Sequence, residues 1–188
     1  IAEKYKDRNI FFISSHCLPI SHNWLKIFYK YFENKMLLGS HSSYASISSE
    51  FLNFYHNNHS KFEQLRWGIK HFFKFKLFPN PHIRTSAFLI NAKDLLLCDF
   101  NKKKFIDKIE TNYFESGRNS ITNQLLKKGF KIGIVNSDDK YFSIGEWKKS
   151  QTYALENQEK LIFSDNRTNI YFDADSDKKK IIRKNNWG

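Results

Sequence analysis

The stretch Phe114 to Asn136, FESGRNSITNQLLKKGFKIGIVN, restricts the fold of this chain more than any other. Its spacing predicts a short polar turn at Glu115-Ser116-Gly117, a helix over about Asn119 to Lys128, and a strand over Phe130 to Val135. Ile121, Leu125 and Leu126 recur at i, i+4 and i+5, which gives the helix one buried face. Lys127 and Lys128 sit in its last turn, where positive charge suits the helix dipole, and Gly129 is placed as a C′ glycine. The strand alternates Phe130, Ile132 and Ile134 with Lys131 and Gly133, the pattern of a half-buried strand. A carboxylate at the mouth of such a helix is held where backbone N–H groups favour its charged form. Glu115 in that position suits a general base and suits an N-terminal cap equally well.

The rest of the chain supplies strands separated by helices. Asn9 to Ile13, NIFFI, is a continuous apolar run of strand length, the pattern of a buried parallel strand, and it runs into the polar Ser14-Ser15-His16. A helix follows from Ser21 or His22 to about Phe32, then a short strand at Met36 to Gly39 and a hydroxyl-rich loop over His41 to Ser49. Phe51 to Phe75 is helical in tone, crowded with aromatics and histidines, and reads as a lid or flap. After the breaker FPNP, His82-Ile83-Arg84-Thr85 leads into a strand at Ser86 to Ile90, and Asn91 caps a short helix. Phe100 to Tyr113 reads as a basic linker helix or loop. Ile170 to Phe172 reads as strand-like, and residues 170–188 as a polar tail. This order predicts one α/β domain over residues 1–188, with a mostly parallel sheet flanked by helices.

Composition narrows the partners. The chain has 188 residues, enough for one domain with a real core, and 40% of them are apolar. Net charge is +12, carried mostly by lysine. Such a surface attracts nucleic acid, anionic lipid headgroups or a phosphorylated substrate; scattered lysines also arise from compositional drift alone. Cys17 and Cys98 lie far apart without metal-ligand spacing, which points to a reducing compartment. No stretch approaches the roughly 20 apolar residues of a membrane span. Asp173-Ala174-Asp175-Ser176-Asp177 has a metal-like look but lacks the glycine and distal glutamate of a calcium loop, and it reads as a solvated turn. IAEKYK at the start reads as the middle of a helix, so an upstream portion is expected.

The sequence of parts resembles the second half of a GT-A (Rossmann-like) glycosyltransferase domain of the large inverting family. The parts are a strand ending in a short polar motif, Pro19, a helix with Trp24-Leu25, the SAFLINAKDLLL strand and helix, and the Glu115–helix–Gly129–strand unit. The resemblance implies a nucleotide-diphosphate sugar as donor and a hydroxyl of a cell-surface polysaccharide, or of its lipid-linked precursor, as acceptor. It implies a bacterial enzyme in the cytoplasm, in contact with the anionic inner face of the membrane. The family's Asp-x-Asp, which holds Mn or Mg and the donor diphosphate, is matched by Ser14-Ser15-His16, with His16 as the candidate metal ligand. Its Glu-Asp base motif is matched by Glu115-Ser116. The usual base is the second residue of that pair, so Glu115 takes the role one position early. The family's first nucleotide-binding strands are absent from this sequence.

Inverting transfer needs a base for the acceptor proton, charge to meet the leaving diphosphate, and a pocket that aligns the two substrates. Glu115 is the candidate base. His82, Arg84 and Arg118 are candidate phosphate or acceptor contacts, arginine being suited to bidentate oxyanion binding. Trp147 is a candidate sugar platform, and equally a core tryptophan. Asp165-Asn166-Arg167 is a polar cluster that a turn explains most simply. The alternative function is a non-catalytic module that binds nucleic acid through interleaved lysines and aromatics such as Lys70 to Lys76, KHFFKFK.

Overall fold

The computed structural model describes residues 1–48, 60–99 and 108–188. In chain order the elements are β1 (Asn9–Ile13), β2 (Leu18–Pro19), α1 (Trp24–Tyr31), β3 (Met36–Gly39), β4 (Ser42–Ser43), α2 (Lys61–Phe72), β5 (His82–Ile83), β6 (Ala87–Asn91) and α3 (Ala92–Leu95). Then come α4 (Lys108–Ser116), α5 (Ile121–Lys127), β7 (Lys131–Asn136), β8 (Lys140–Ser143), a 3-10 turn (Ile144–Lys149), β9 (Phe163–Ser164), α6 (Asn166–Phe172) and α7 (Ser176–Trp187).

Five strands make the main sheet, in the order β1-β6-β3-β7-β8. The expected α/β composition is present, but the expected parallel sheet is not. Among the described residues only β3 and β7 pair in parallel; β1–β6, β6–β3 and β7–β8 are antiparallel. An apolar run records burial on both faces, not the direction of the neighbouring strand, so strand pattern alone misassigns the pairing. β1 also departs from expectation. It is an edge strand whose Phe12 and Ile13 are exposed, while Phe11 turns inward onto Trp24, Phe28 and Phe163.

The three central strands are covered on both faces, and their side chains alternate between two cores. Leu37, Phe88, Ile90, Ile132 and Ile134 face one core with Ile121, Leu125, Trp147 and Trp187. Met36, Leu38, Ala87, Leu89 and Val135 face the other with Phe28 and Phe163. The strand after Gly129 is therefore fully buried rather than half-buried, apart from Lys131. Gly129 takes φ +77 at the end of α5, as a C′ glycine does. Gly133 serves a close approach: a Cβ there would lie 2.1 Å from the Tyr141 ring on β8. Asn91 caps α3 through its side chain, and Ser120 caps α5.

Residues 170–188 are not a loose tail. Asp165 caps α6, Asp175 caps α7 by accepting from the Lys178 amide, and α7 returns to the core. Trp187 is 2% exposed and its indole N–H donates to the Tyr153 carbonyl at 3.0 Å. Asn186 Oδ1 accepts from Ser43 Oγ at 2.7 Å. Ile1 to Lys6 forms hydrogen-bonded turns rather than a helix. The predicted Phe51–Phe75 lid and Phe100–Tyr113 linker lie partly outside the described residues; their later portions are α2 and α4.

Because Trp187 fills the core from the end of the chain, Trp187→Ala is expected to lower unfolding free energy by about 3–5 kcal/mol, read by urea denaturation. A loss below about 1 kcal/mol would show that α7 contributes no core packing.

Candidate functional site

A cavity of about 260 Å³ opens where β4, β5, α4, α6 and α7 converge. His82 and Arg84 reach it from β5 and the residues just after, Glu115 from α4, and Arg167 from α6. Tyr153 and Asn186 also line it. Three of the residues singled out from sequence, Glu115, His82 and Arg84, are thus neighbours around one space.

Glu115 does not sit at the mouth of α5. It lies in the last turn of α4, so the helix-dipole argument made from sequence applies with the opposite sign. What orients it instead is Thr85: Oε2 accepts from the Thr85 hydroxyl at 2.5 Å and from the Thr85 amide at 3.1 Å. Both bonds fall on Oε2, and Oε1 accepts none among the described residues. The result is a positioned carboxylate with one oxygen at the disposal of a ligand.

His82 is buried, and its Nδ1–H donates to the Asn80 carbonyl at 2.8 Å. Burial lowers its pKa, while Glu115 and the Asn80 carbonyl act in the opposite sense. Asn80 is itself tied to α4 through Nδ2, which donates to the Ser116 carbonyl at 2.6 Å. β5 is held from the other side by Thr122, whose hydroxyl accepts from the Ile83 amide at 3.0 Å.

Arg84 is the charged anchor of the wall. Its Nη2 donates to Asp165 Oδ2 at 3.1 Å, with both side chains almost fully enclosed. Its guanidinium lies over the Tyr153 ring, 3.9 Å from the centroid. Nη1 is buried without a partner among the described residues. Asp165 Oδ1 accepts from the Arg167 and Thr168 amides, both at 2.9 Å. Burial works to raise the Asp165 pKa, but Arg84, His41 and those two amides outweigh it and hold the carboxyl below its usual range. The polar cluster read as a turn is thus a helix cap and a buried ion pair at once.

His41 was not anticipated, because it sits in a stretch that reads only as a hydroxyl-rich loop. Its Nε2–H donates to the Phe163 carbonyl at 2.9 Å, and Nδ1 lies 3.1 Å from both Ser40 Oγ and Ser86 Oγ. Burial pushes its pKa down to about 4, against an attraction from Asp165, so the ring is neutral. The chain between Phe163 and Asp165 is therefore gripped by His41 and Arg84 together.

The remaining candidates lie elsewhere. Ser14 bonds through its amide to the Ser86 carbonyl at 2.8 Å, His16 is exposed, and neither lines the cavity. These residues do not fit a divalent metal: they offer one hydroxyl and one imidazole, and no group of three His, Cys, Asp or Glu gathers among the described residues. Arg118 is exposed and lies against Phe72, with Nε and Nη2 each 3.4 Å from its carbonyl. Trp147 is fully buried beside Tyr44, so it presents no face to a sugar. Asp173 to Asp177 belongs to the α6–α7 junction.

Two outcomes follow from these buried charges. Arg84→Met leaves Asp165 enclosed without its counter-charge and is expected to cost about 3–5 kcal/mol in urea denaturation, part of which Asp165→Asn recovers in the double variant. Below pH 6.5 the unfolded chain takes up a proton that folded His41 refuses until about pH 4, so stability falls as pH drops through that window. The loss reaches on the order of 2–3 kcal/mol near the bottom, with His82 adding in the same direction. Melting temperatures that stay flat across this range would contradict a neutral buried His41. Comparison of the chain with protein-family models, with curated proteins and with solved structures finds no significant match.

Proposed function

We propose that this chain carries the acceptor side of an inverting GT-A sugar transferase. The donor is a nucleotide-diphosphate sugar, and the acceptor is a hydroxyl of a cell-surface polysaccharide or of its lipid-linked precursor. The observation that carries the reading is Glu115, a carboxylate fixed by Thr85 through one oxygen with the other oxygen open, in the wall of a cavity. The order of elements around it, from strand and polar motif to the Gly129 unit, supports the same class.

In this reading Glu115 Oε1 takes the proton of the acceptor hydroxyl. The acceptor oxygen attacks the anomeric carbon of the donor from the face opposite the diphosphate. The bond from that carbon to the diphosphate oxygen breaks, its electron pair leaves with the nucleoside diphosphate, and the configuration inverts. Arg167, exposed in the cavity wall and without an ion pair among the described residues, is the cation available to an oxyanion of donor or acceptor. His82 is neutral and carries its proton on Nδ1, turned to Asn80, so it acts as a wall and not as the acid or base. No step runs through a metal.

Glu115→Gln tests the assignment, because the amide oxygen can still accept from Thr85 while proton abstraction is lost. Release of nucleoside diphosphate from a panel of nucleotide sugars is expected to fall by about 10²–10⁴-fold with an unchanged melting temperature. Undiminished turnover in the variant removes Glu115 from the reaction.

A further inference from the structure

An apolar surface that the cavity does not use lies on α2. Along α2, Phe62, Leu65, Ile69 and Phe72 recur at i, i+3, i+7 and i+10, the spacing of a single helical stripe. This stripe faces outward: Phe62 is 74% exposed, Leu65 61% and Ile69 56%. Phe73, at 75%, extends it beyond the helix. A helix of 12 residues is about 18 Å long, so the stripe is a contiguous apolar strip and not a scatter of single side chains. Monomeric proteins rarely leave such strips in water without a use.

The strip has a cationic rim. Arg66 and Lys74 are exposed beside it, and the Arg118 guanidinium lies 5.8 Å from the centre of the Phe72 ring. Lys76, further along the chain, is partly buried and its ammonium donates to Asn123 Oδ1 at 2.5 Å. Glu63 is the acidic side chain within the strip, and it is engaged at the start of α2 by the Ser60 amide and hydroxyl.

We propose that the outer face of α2 with Phe73 is a docking surface for an anionic lipid bilayer. Apolar side chains flanked by lysine and arginine match the boundary between acyl chains and anionic headgroups, and a net charge of +12 draws the whole chain towards it. A single-stranded nucleic acid fits less well. Bases stack on flat rings, and the middle of the strip is the branched Leu65 and Ile69. A second copy of the chain fits less well too, because a two-fold contact would bring the cationic rim against itself. The inference does not rest on the sugar-transferase reading.

The test is co-sedimentation of the purified chain with vesicles of phosphatidylcholine alone and of phosphatidylcholine mixed with phosphatidylglycerol. The wild type is expected to pellet with the mixed vesicles, less so at high salt, and not with phosphatidylcholine alone. Leu65→Glu and Phe73→Glu replace exposed side chains, so unchanged circular dichroism is expected. Each is expected to weaken partitioning by about tenfold or more. Absence of pelleting with the mixed vesicles overturns the proposal, as does pelleting that neither variant weakens. Light scattering that reveals a dimer dissolved by Leu65→Glu, without vesicle binding, assigns the face to a second copy instead. Binding of a single-stranded oligonucleotide that Phe73→Glu abolishes, again without vesicle binding, assigns it to nucleic acid.

Discussion

The Arg84–Asp165 pair is the contact on which the arrangement of the site depends. Asp165 accepts from Arg84 with one oxygen and caps α6 with the other. The same pair therefore ties the residues that follow β5 to the start of α6. Two enclosed charges are retained only when each is matched, and here the match is made by an ion pair, two amides and an aromatic face. His41 adds a neutral grip on Phe163, two residues earlier. A protonated ring at that position would be enclosed without a full set of partners, which is why burial keeps it neutral.

Around this fixed frame the cavity is left chemically asymmetric. Glu115 is held through Oε2 alone, and Arg167 lines the same cavity as an exposed cation. A carboxylate at the end of a helix gains nothing from the dipole, so the orientation of Glu115 comes from Thr85. Orientation by a second side chain is what proton transfer demands of a base, since the reacting oxygen must lie within hydrogen-bond reach. The exposed face of α2 is a separate matter. It carries apolar area that the two cores do not use, and no residue of α2 lines the cavity.

Much of the local structure was legible in residue order. β1 and β3 have the bounds their apolar runs predict, and Gly129 and Asn91 end and begin helices where their conformational and capping preferences place them. Glu115, His82 and Arg84 were each legible as chemical groups. Trp147 was not separable from a core residue, because an aromatic ring suits a sugar and a core alike. The helix from Lys108 was not legible as the element bearing Glu115, because a polar, weakly periodic run leaves its register open. His41 and Asp165 were hidden for a related reason: their roles are set by residues far away in sequence, Phe163 and Arg84.

The sequence by itself determined the bounds of β1 and β3, the helix start at Asn91, the helix stop at Gly129 and the apolar face of α5, because capping, backbone preference and side-chain periodicity act over a few residues; Ile170 to Phe172, strand-like in pattern, is held in α6 by the Asp165 cap and the packing around it. Tertiary structure alone decided strand direction, the return of α7 into the core, and the meeting of Glu115 with Arg84 across 31 positions. Apolar burial carries no direction, so β6 can run against β3 with the same side chains covered. A buried ion pair forms only between groups that packing has already brought together, and no local pattern announces its partner.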